Sequence, residues 1–301
     1  MTQVEETLAW EAEQRPRASA SALIAGVCTI AGSLLLILST NGGPTEDDGF
    51  VSLGEALEAR LGGGAPDETS LRVRQADFLD DKLPQLYLST ILSTLAVIGA
   101  CLAMLYLYRA TKARQEETGR APLIATALAL GLYTVGHLTR DVSTWTGVAS
   151  IGGDARAGEV RDVANGGFAV AGQFLEQLGT FSLGLAFVLV SLNAMRAGLL
   201  TRFLGILGII VGGLAILPLD QPQIVRAFWL VALGLMIGRA AAKPPAWETG
   251  RAMPWPSNQQ IREARQQAAA GTNVPPSEPD APVSTADVPA AAQKRKRKKR
   301  R

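Results

Sequence analysis

Long apolar stretches alternate with polar segments along this chain. Six of the stretches hold few charged side chains and are about 20 residues long, the length that an α-helix needs to cross a ~30 Å hydrocarbon core. The pattern predicts an all-α fold, a polytopic transmembrane helical bundle of six helices over residues 20–243, followed by a disordered tail. The predicted transmembrane helices are residues 20–40, 85–108, 122–142, 167–192, 203–219 and 223–242.

The first apolar stretch has a second interpretation as a signal peptide, because Arg15 and Arg17 precede it. The stretch is longer than the apolar part of a typical signal peptide, and no small-x-small cleavage site precedes Asn41. We therefore interpret it as a retained first helix, with residues 1–19 as a cytoplasmic N-terminal segment.

The segments between the predicted helices are polar. Residues 41–83 form a long outer loop rich in glycine and acidic side chains, in which 51–61 and 71–83 have the pattern of short amphipathic helices that lie over the membrane end as a cap. The turn Asp220-Gln221-Pro222 joins the last two helices into a hairpin. Residues 244–301 are rich in Pro, Ala, Gln and Ser, a composition that does not bury enough surface to offset the entropy of ordering, so they are predicted to be a disordered basic cytoplasmic tail.

Basic residues decide the predicted orientation, because positively charged loops stay on the cytoplasmic side of a membrane. The chain is 48% hydrophobic with a net charge of only +2, and its last eight residues are all Lys or Arg. With the N-terminus inside, 21 of the 29 basic residues fall in cytoplasmic segments and 8 in outer segments, and the inner number is still 13 without the last eight residues. Both termini are therefore predicted to be cytoplasmic.

Polar side chains inside the third and fourth apolar stretches are the main candidates for chemistry. In each stretch they are spaced i, i+3, i+4, which places them on one face of a helix. With the fourth helix beginning near Gly167, Glu176 would lie about 14 Å and His137 about 8 Å below the outer membrane boundary, within reach of an Arg side chain. The predicted intramembrane polar cluster consists of His137, Arg140 and Asp141 in the third stretch and Gln173, Glu176 and Gln177 in the fourth.

Two interpretations of this cluster stay open. A carboxylate inside a membrane costs at least ~2.5 kcal/mol on insertion scales, so Glu176 is expected to face the bundle interior and to pair with Arg140 or His137. The pair is either a structural ion pair that fixes the packing of the third and fourth helices, or part of a proton or ion relay or a site for a polar solute, with His137 as its titrating group.

Glycine spacing predicts close helix packing in the last two helices. Gly208-x-x-x-Gly212 and Gly234-x-x-x-Gly238 each give a helix a groove of small residues that allows another backbone to approach. Because a tight turn joins these helices, mutual packing is the simplest use of the grooves, and homodimerisation through one of them is the alternative.

The run of eight basic residues at the C-terminus predicts an electrostatic contact. Each basic residue near an anionic leaflet contributes about 1 kcal/mol, so the run can hold the tail at anionic lipid head groups. A tail without a partner is the second interpretation and nucleic acid the third, where binding would be non-specific because no aromatic residues interleave the run. The residues are Lys294, Arg295, Lys296, Arg297, Lys298, Lys299, Arg300 and Arg301.

No motif for catalysis, a cofactor or a metal stands out in the sequence. A single histidine excludes a histidine-based metal cluster, and no nucleophile has an evident base beside it. Cys28 and Cys101 fall inside apolar stretches, where small packing residues are expected rather than a disulfide framework. The two halves show no alignable symmetry, which disfavours an inverted-repeat transporter.

Residues 193–213, with the sequence Asn-Ala-Met-Arg-Ala-Gly-Leu-Leu-Thr-Arg-Phe-Leu-Gly-Ile-Leu-Gly-Ile-Ile-Val-Gly-Gly, run from a basic inner loop straight into a Gly-rich helix. This stretch resembles a family of uncharacterised bacterial six-helix integral membrane proteins, a domain of unknown function. The resemblance implies a place in the bacterial plasma membrane and a six-helix topology, and it carries over no site residues.

The sequence therefore predicts a non-enzymatic scaffold or regulatory protein of the bacterial plasma membrane, without a cofactor. The alternative is a small-solute or proton-coupled transporter or channel that uses the polar cluster between the third and fourth helices.

Overall fold

The computed structural model describes residues 2–43, 75, 78–150, 166–217, 223–238, 244–255, 262–263 and 266, and these residues form helices and turns with no strand among them. The predicted all-α fold is confirmed for this part of the chain. Met1–Trp255 form one compact unit and Pro256–Arg301 a second. The helices of the first unit are α1 (Gln3–Thr40), α2 (Leu83–Arg114), α3 (Ala121–Ser150), α4 (Gly167–Arg196), α5 (Arg202–Ile216), α6 (Ile224–Ile237) and α7 (Ala246–Thr249).

Four of these helices, α1 to α4, are long and apolar enough to cross a membrane. They have 38, 32, 30 and 30 residues, so at about 1.5 Å per residue each is longer than a ~30 Å hydrocarbon core. α5 and α6 are apolar but have only 15 and 14 residues. By length and composition, α1 to α4 indicate a membrane protein.

The long helices extend beyond the apolar stretches that predicted them. α1 begins at Gln3 rather than near residue 20, because Thr2 accepts a hydrogen bond from the Glu5 backbone and the Glu5 side chain accepts one from Thr2 in return. α3 continues to Ser150, eight residues past its predicted end. Hydropathy marks the part of a helix suited to lipid, whereas capping and tertiary contacts decide where the helix itself ends.

Each of the helices α1 to α6 packs on at least two of the others. α1 lies against α2 and α6, α4 lies against α3 and α5, and α2 contacts both α3 and α4. Between α1 and α2, the Ser89 hydroxyl donates to the carbonyl of Gly32 at 2.9 Å. Between α5 and α6, the Trp229 indole donates to the carbonyl of Leu204 at 2.8 Å.

The glycine grooves of α5 and α6 mostly receive other helices than the sequence predicts. Gly212 meets Gly184 and Val188 of α4, and Gly234 meets Leu23 of α1. Gly238 meets Ser19 of α1. The two grooves were predicted to pack on each other, and this holds only at Gly208, which meets Trp229 of α6 as well as Ser191 of α4. The long neighbours α1 and α4 offer more surface to each groove than the short partner helix does, and both grooves are filled within the chain.

The segment after α6 packs on the bundle beyond the predicted boundary at residue 243. The Trp247 indole, 3% exposed, donates to the carbonyl of Leu199 at 2.8 Å, and the Trp255 indole donates to that of Leu200 at 2.8 Å. The backbone N–H of Met253 donates to the carbonyl of Ala197 at 3.1 Å. The structure therefore moves the boundary of the tail from residue 243 to residue 255, because two tryptophans reach carbonyls that the turn between α4 and α5 leaves free.

A group of charged and aromatic side chains, here called the terminal cluster, joins the start of α1, the end of α2 and α7. Arg114 pairs with Glu11 through two hydrogen bonds, both side chains being 0% exposed, and it also donates to the carbonyl of Ala246 at 2.9 Å. The rings of Trp10 and Tyr106 stack at 5.5 Å, and those of Tyr106 and Trp247 at 6.0 Å. The terminal cluster consists of Trp10, Glu11, Arg15, Tyr106, Arg114 and Trp247.

Candidate functional site

Four of the six predicted polar residues come together where α3 and α4 pack. His137, Arg140 and Asp141 lie on α3 and meet Glu176 on α4. Below, these four residues are called the polar cluster. The sequence predicts that Glu176 pairs with Arg140 or His137, and in the structure it contacts both.

Three glycines bring the backbones of α3 and α4 into contact at this level. A methyl group at Gly136 would overlap the backbone of Glu176, and one at Gly172 would overlap the backbone of Arg140. Gly179 meets the backbone of Tyr133 in the same way. Small residues are what permits such close approach between membrane helices. The sequence reading missed these glycines, since they are not spaced as Gly-x-x-x-Gly.

His137 lies between two carboxylates. Its Nδ1 is 3.1 Å from Oε1 of Glu176, and its Nε2 is 3.5 Å from Oδ2 of Asp141. Arg140 pairs with Oε2 of Glu176 and donates to Oδ1 of Asp141 through its Nε at 2.8 Å. Each carboxylate therefore faces both the imidazole and the guanidinium.

The polar cluster is buried except at the arginine. The side chains of His137 and Asp141 are each 8% exposed and that of Glu176 is 13% exposed, whereas Arg140 is 37% exposed. Ionised groups held away from water are stable only when they are paired and hydrogen-bonded. Oε1 of Glu176 is within hydrogen-bond distance of His137, whereas Oε2 is in ion-pair contact with Arg140 but makes no hydrogen bond among the described residues.

α2 adds two contacts that the sequence reading missed. The hydroxyl of Thr90, 4% exposed, donates to Oδ2 of Asp141 at 2.7 Å. The indole of Trp145, one turn beyond Asp141 on α3, donates to the Thr90 hydroxyl at 3.2 Å. The polar cluster thus links three helices, α2, α3 and α4. A threonine in an apolar helix gives little signal, since it also bonds its own helix, as Thr90 does to Leu86 at 3.1 Å.

A π-helical turn precedes the polar cluster in α3. It covers Ala129–Tyr133, and the ring of Tyr133 stacks on that of His137 with 5.3 Å between centroids. Single π-turns inside α-helices occur frequently at functional sites, where they redirect side chains.

The structure does not bring Gln173 and Gln177 into the polar cluster. Both are exposed, although the sequence pattern grouped them with Glu176. At about 100° per residue, Gln173 is turned about 60° and Gln177 about 100° from Glu176 around the axis of α4. The side of α4 that faces α3 is centred on Gly172, Glu176 and Gly179, so the two glutamines lie beyond its edge.

The relative level of the cluster residues also differs from the prediction. The prediction puts Glu176 about 6 Å deeper in the membrane than His137, because it sets the membrane boundary at Gly167, the first residue of α4. In the structure Glu176 lies opposite Gly136, the residue next to His137, so the two side chains are at one level. A 30-residue helix is longer than one crossing requires, so its first residue does not mark the boundary.

Several predicted features lie outside the described residues. They are the basic run Lys294–Arg301, the amphipathic segment 51–61, residues 71–74 and 76–77 of the second such segment, and the turn at 220–222. In the part of the chain that the structure describes, Cys28 and Cys101 are buried free thiols, and no group of His, Cys, Asp and Glu side chains is arranged to hold a metal ion.

Comparison of this chain with protein-family models, with curated proteins and with solved structures found no match. The resemblance of residues 193–213 to a six-helix family stays a prediction. Any function therefore has to be argued from the site itself.

Proposed function

We propose that this chain is a non-enzymatic scaffold or regulatory protein of the bacterial plasma membrane, in which the polar cluster fastens three transmembrane helices to one another. The observation that carries this proposal is the pairing of Glu176. Each of its oxygens meets a basic side chain of α3, and its side chain is 13% exposed. A carboxylate that is buried and paired in this way stabilises the packing of the helices and is not available to bind a solute.

The proposed topology has six spans with both termini in the cytoplasm. α5 and α6 would be the last two spans, although their described parts measure only about 22 Å and 21 Å at 1.5 Å per residue. The predicted spans are longer than the described helices, since the stretches that predict them reach residues 219 and 242, with Pro218 and Arg239 within the added parts. The end of the bundle that holds the start of α1 also carries the exposed side chains of Arg17, Lys112, Arg120 and Arg196, in keeping with a cytoplasmic location.

The experiment that tests the scaffold proposal measures proton flux. The purified full-length chain is reconstituted into liposomes that contain a pH-sensitive dye, and a pH gradient is imposed. We expect the same slow decay of the gradient as in empty liposomes, for the natural chain and for Glu176→Gln alike. A faster decay that Glu176→Gln abolishes would contradict the scaffold proposal.

A proton relay is the second candidate, and the placement of His137 favours it. The imidazole lies between Glu176 and Asp141, with Nδ1 3.1 Å from Oε1 of Glu176 and Nε2 3.5 Å from Oδ2 of Asp141. Nε2 makes no hydrogen bond among the described residues, so a relay would need a small movement of the ring toward Asp141 to pass a proton on. The Thr90 hydroxyl extends this path to α2. The same flux measurement separates the two candidates, since a relay needs the Glu176 carboxylate to carry protons, whereas a packing contact carries no proton flux with either side chain.

The basic tail is proposed to bind anionic lipid head groups on the cytoplasmic leaflet. A fluorophore attached near the C-terminus should show energy transfer to labelled head groups in liposomes that contain anionic lipid. Deletion of Lys294–Arg301 should reduce that transfer, whereas it should make no difference in neutral liposomes. Equal transfer with and without the eight residues would contradict lipid binding.

A further inference from the structure

The terminal cluster holds two arginines but only one acidic residue. Glu11 pairs with Arg114, and both of these side chains are 0% exposed. Arg15 lies one turn after Glu11 on α1 and is partly buried. Among the described residues it makes no ion pair, and its Nε is buried without a hydrogen-bond partner. The terminal cluster therefore has an excess of one positive charge, and that charge belongs to Arg15.

A second donor without a partner lies in the same cluster. Tyr106 is 5% exposed, and its hydroxyl makes no hydrogen bond among the described residues. The ring of Tyr106 stacks on that of Trp247 at 6.0 Å, and the guanidinium carbon of Arg15 lies 5.5 Å from the centroid of the same Trp247 ring. Contact with an aromatic ring stabilises a cation, but it supplies no acceptor to the N–H groups. Buried donors normally have an acceptor, so an acceptor is missing here.

The neighbouring parts of the chain do not supply a carboxylate for Arg15. Gly238, at the end of α6, meets Ser19, one turn beyond Arg15. The residues that follow, 239–243, include two basic side chains and no acidic one. Glu248 of α7 is exposed and makes no ion pair with Arg15 in the part of the chain that the structure describes. The charge around this place is positive, which favours an anion from outside the chain.

We propose that Arg15 and Tyr106 form a binding site for a phosphate group, which supplies the missing acceptor at the terminal cluster. A guanidinium donates parallel hydrogen bonds to phosphate oxygens, and a tyrosine hydroxyl donates one more. A phosphate has more acceptor oxygens than a carboxylate, so a single group accepts from α1 and α2 together. The site is separate from the polar cluster, so it does not depend on whether that cluster is a packing contact or a relay.

Two sources can deliver a phosphate group to this site. One is a lipid head group, since Arg15 lies five residues before the predicted start of the first transmembrane helix. That distance is roughly 7.5 Å, comparable to the thickness of the head-group region on one side of a bilayer. The other source is a soluble phosphate compound. The chemistry at Arg15 is the same for both, and the experiment distinguishes them.

Thermal unfolding of the purified, delipidated full-length chain in maltoside micelles tests the proposal. The lipid arm adds phosphatidylglycerol, with diacylglycerol as its phosphate-free match, and the soluble arm adds inorganic phosphate, with chloride at equal ionic strength as its match. We expect phosphate in at least one arm to raise the unfolding temperature, because a ligand that binds only the folded state stabilises it. The arm that responds identifies the source.

Substitution of Arg15 should weaken this response. Arg15→Gln should lower the apparent affinity by at least about tenfold, because hydrogen bonds to a charged group are the strong ones. Arg17→Gln is the matched control, since Arg17 is exposed and its loss changes the net charge equally. All variants keep the basic tail, so its own contribution to lipid binding is common to them. Equal responses of Arg15→Gln and Arg17→Gln in both arms would overturn the proposal.

The same melts separate phosphate binding from a purely structural role of Arg15. Without phosphate, Arg15→Gln should be at least as stable as the natural chain, because it removes a charge that has no partner. With phosphate, the natural chain should be the more stable of the two. A loss of stability that is the same with and without phosphate would contradict the proposal, since Arg15 would then act only through its contact with Trp247.

Tyrosine variants test the second donor. Tyr106→Phe keeps the stacked ring and removes the hydroxyl, so phosphate affinity should fall by about threefold or more. Tyr108→Phe is the matched control, because the Tyr108 hydroxyl is also buried without a partner but is turned about 200° around the axis of α2. Equal phosphate affinities of these two variants would show that Tyr106 does not belong to the site and that the proposed pair of donors is wrong.

Discussion

Three carboxylates, Glu11, Asp141 and Glu176, are buried beside arginines among the described residues, and of these Glu11 was not found from the sequence. Glu176 stands out because it interrupts an apolar stretch, and its partners share a helix face with the spacing i, i+3, i+4. Glu11 lies in a polar segment, where the sequence pattern does not distinguish it from an exposed acidic residue such as Glu13. Its burial depends on Arg114, which is distant in sequence and is brought near only by the packing of α1 on α2.

Removal of Glu11 should destabilise the protein strongly. Glu11→Ala leaves the guanidinium of Arg114 buried without its partner, and breaking a buried pair in this way lowers the free energy of unfolding by about 3 kcal/mol or more. Glu13→Ala, an exposed position two residues later, should change it by no more than about 0.5 kcal/mol. Reversible unfolding in mixed micelles measures both. Equal stability of the two variants would show that the terminal cluster contributes nothing to the fold.

At the scale of the helices, the sequence predicts which stretches are helical but not which helices touch. The visible glycine motifs of α5 and α6 suggested mutual packing, whereas the closest approach between two helix backbones among the described residues joins α3 and α4 through Gly136, Gly172 and Gly179. Those glycines come from two helices, so their common role follows from the pairing of the helices and not from a spacing within either one. The π-turn at Ala129–Tyr133 was not predicted either, because no residue type in it distinguishes it from an ordinary α-helical turn.

A methyl group at Gly172 should separate α3 from α4. Gly172→Ala places that group against the backbone of Arg140, which cannot move aside as a flexible side chain can, so we expect destabilisation of about 1–3 kcal/mol. Gly167→Ala on the same helix has nothing within 4 Å of the added group and should be nearly neutral. Thermal unfolding of both variants in detergent checks this. A neutral Gly172→Ala would mean that the described contact is looser than the backbones indicate.

The turn that holds the C-terminal segment gives a second prediction at this scale. Gly198 has φ = +75°, and a methyl group there would overlap the backbone of Met253, so only glycine fits. Gly198→Ala should release residues 244–255 from the turn between α4 and α5. The expected result is faster tryptic cleavage at Arg251, with Gly119→Ala as the control because nothing lies within 4 Å of that position. An unchanged cleavage rate would show that the segment is held independently of this turn.

The whole molecule is a membrane bundle with one ionic group at the level of α3 and α4 and another at the start of α1. Apolar length and basic-residue counts predict the class of protein and an orientation, because lipid imposes both constraints on the sequence directly. The ordered segment after α6 was missed, because an average over residues 244–301 hides the two tryptophans that anchor its first part.

Cysteine labelling at Leu217 decides between six spans and four. Leu217 is 61% exposed and directly follows α5. If α5 and α6 cross the membrane as proposed, a membrane-impermeant maleimide should label Leu217→Cys in intact cells. It should label Gly119→Cys, in the turn between α2 and α3, only after the cells are permeabilised. Labelling of Leu217→Cys only after permeabilisation would instead place the end of this helix pair on the cytoplasmic side.

The most direct test of the account is a double-mutant cycle between Arg140 and Glu176. If the polar cluster fastens α3 to α4, Arg140→Leu and Glu176→Leu should each lower the free energy of unfolding, because each removes the ion pair between the two helices and leaves the remaining charge with one partner fewer. The double variant should lose less than the two single losses combined, with a coupling of at least about 1 kcal/mol. Losses that simply add would contradict the account, since they would show that the two side chains do not stabilise each other.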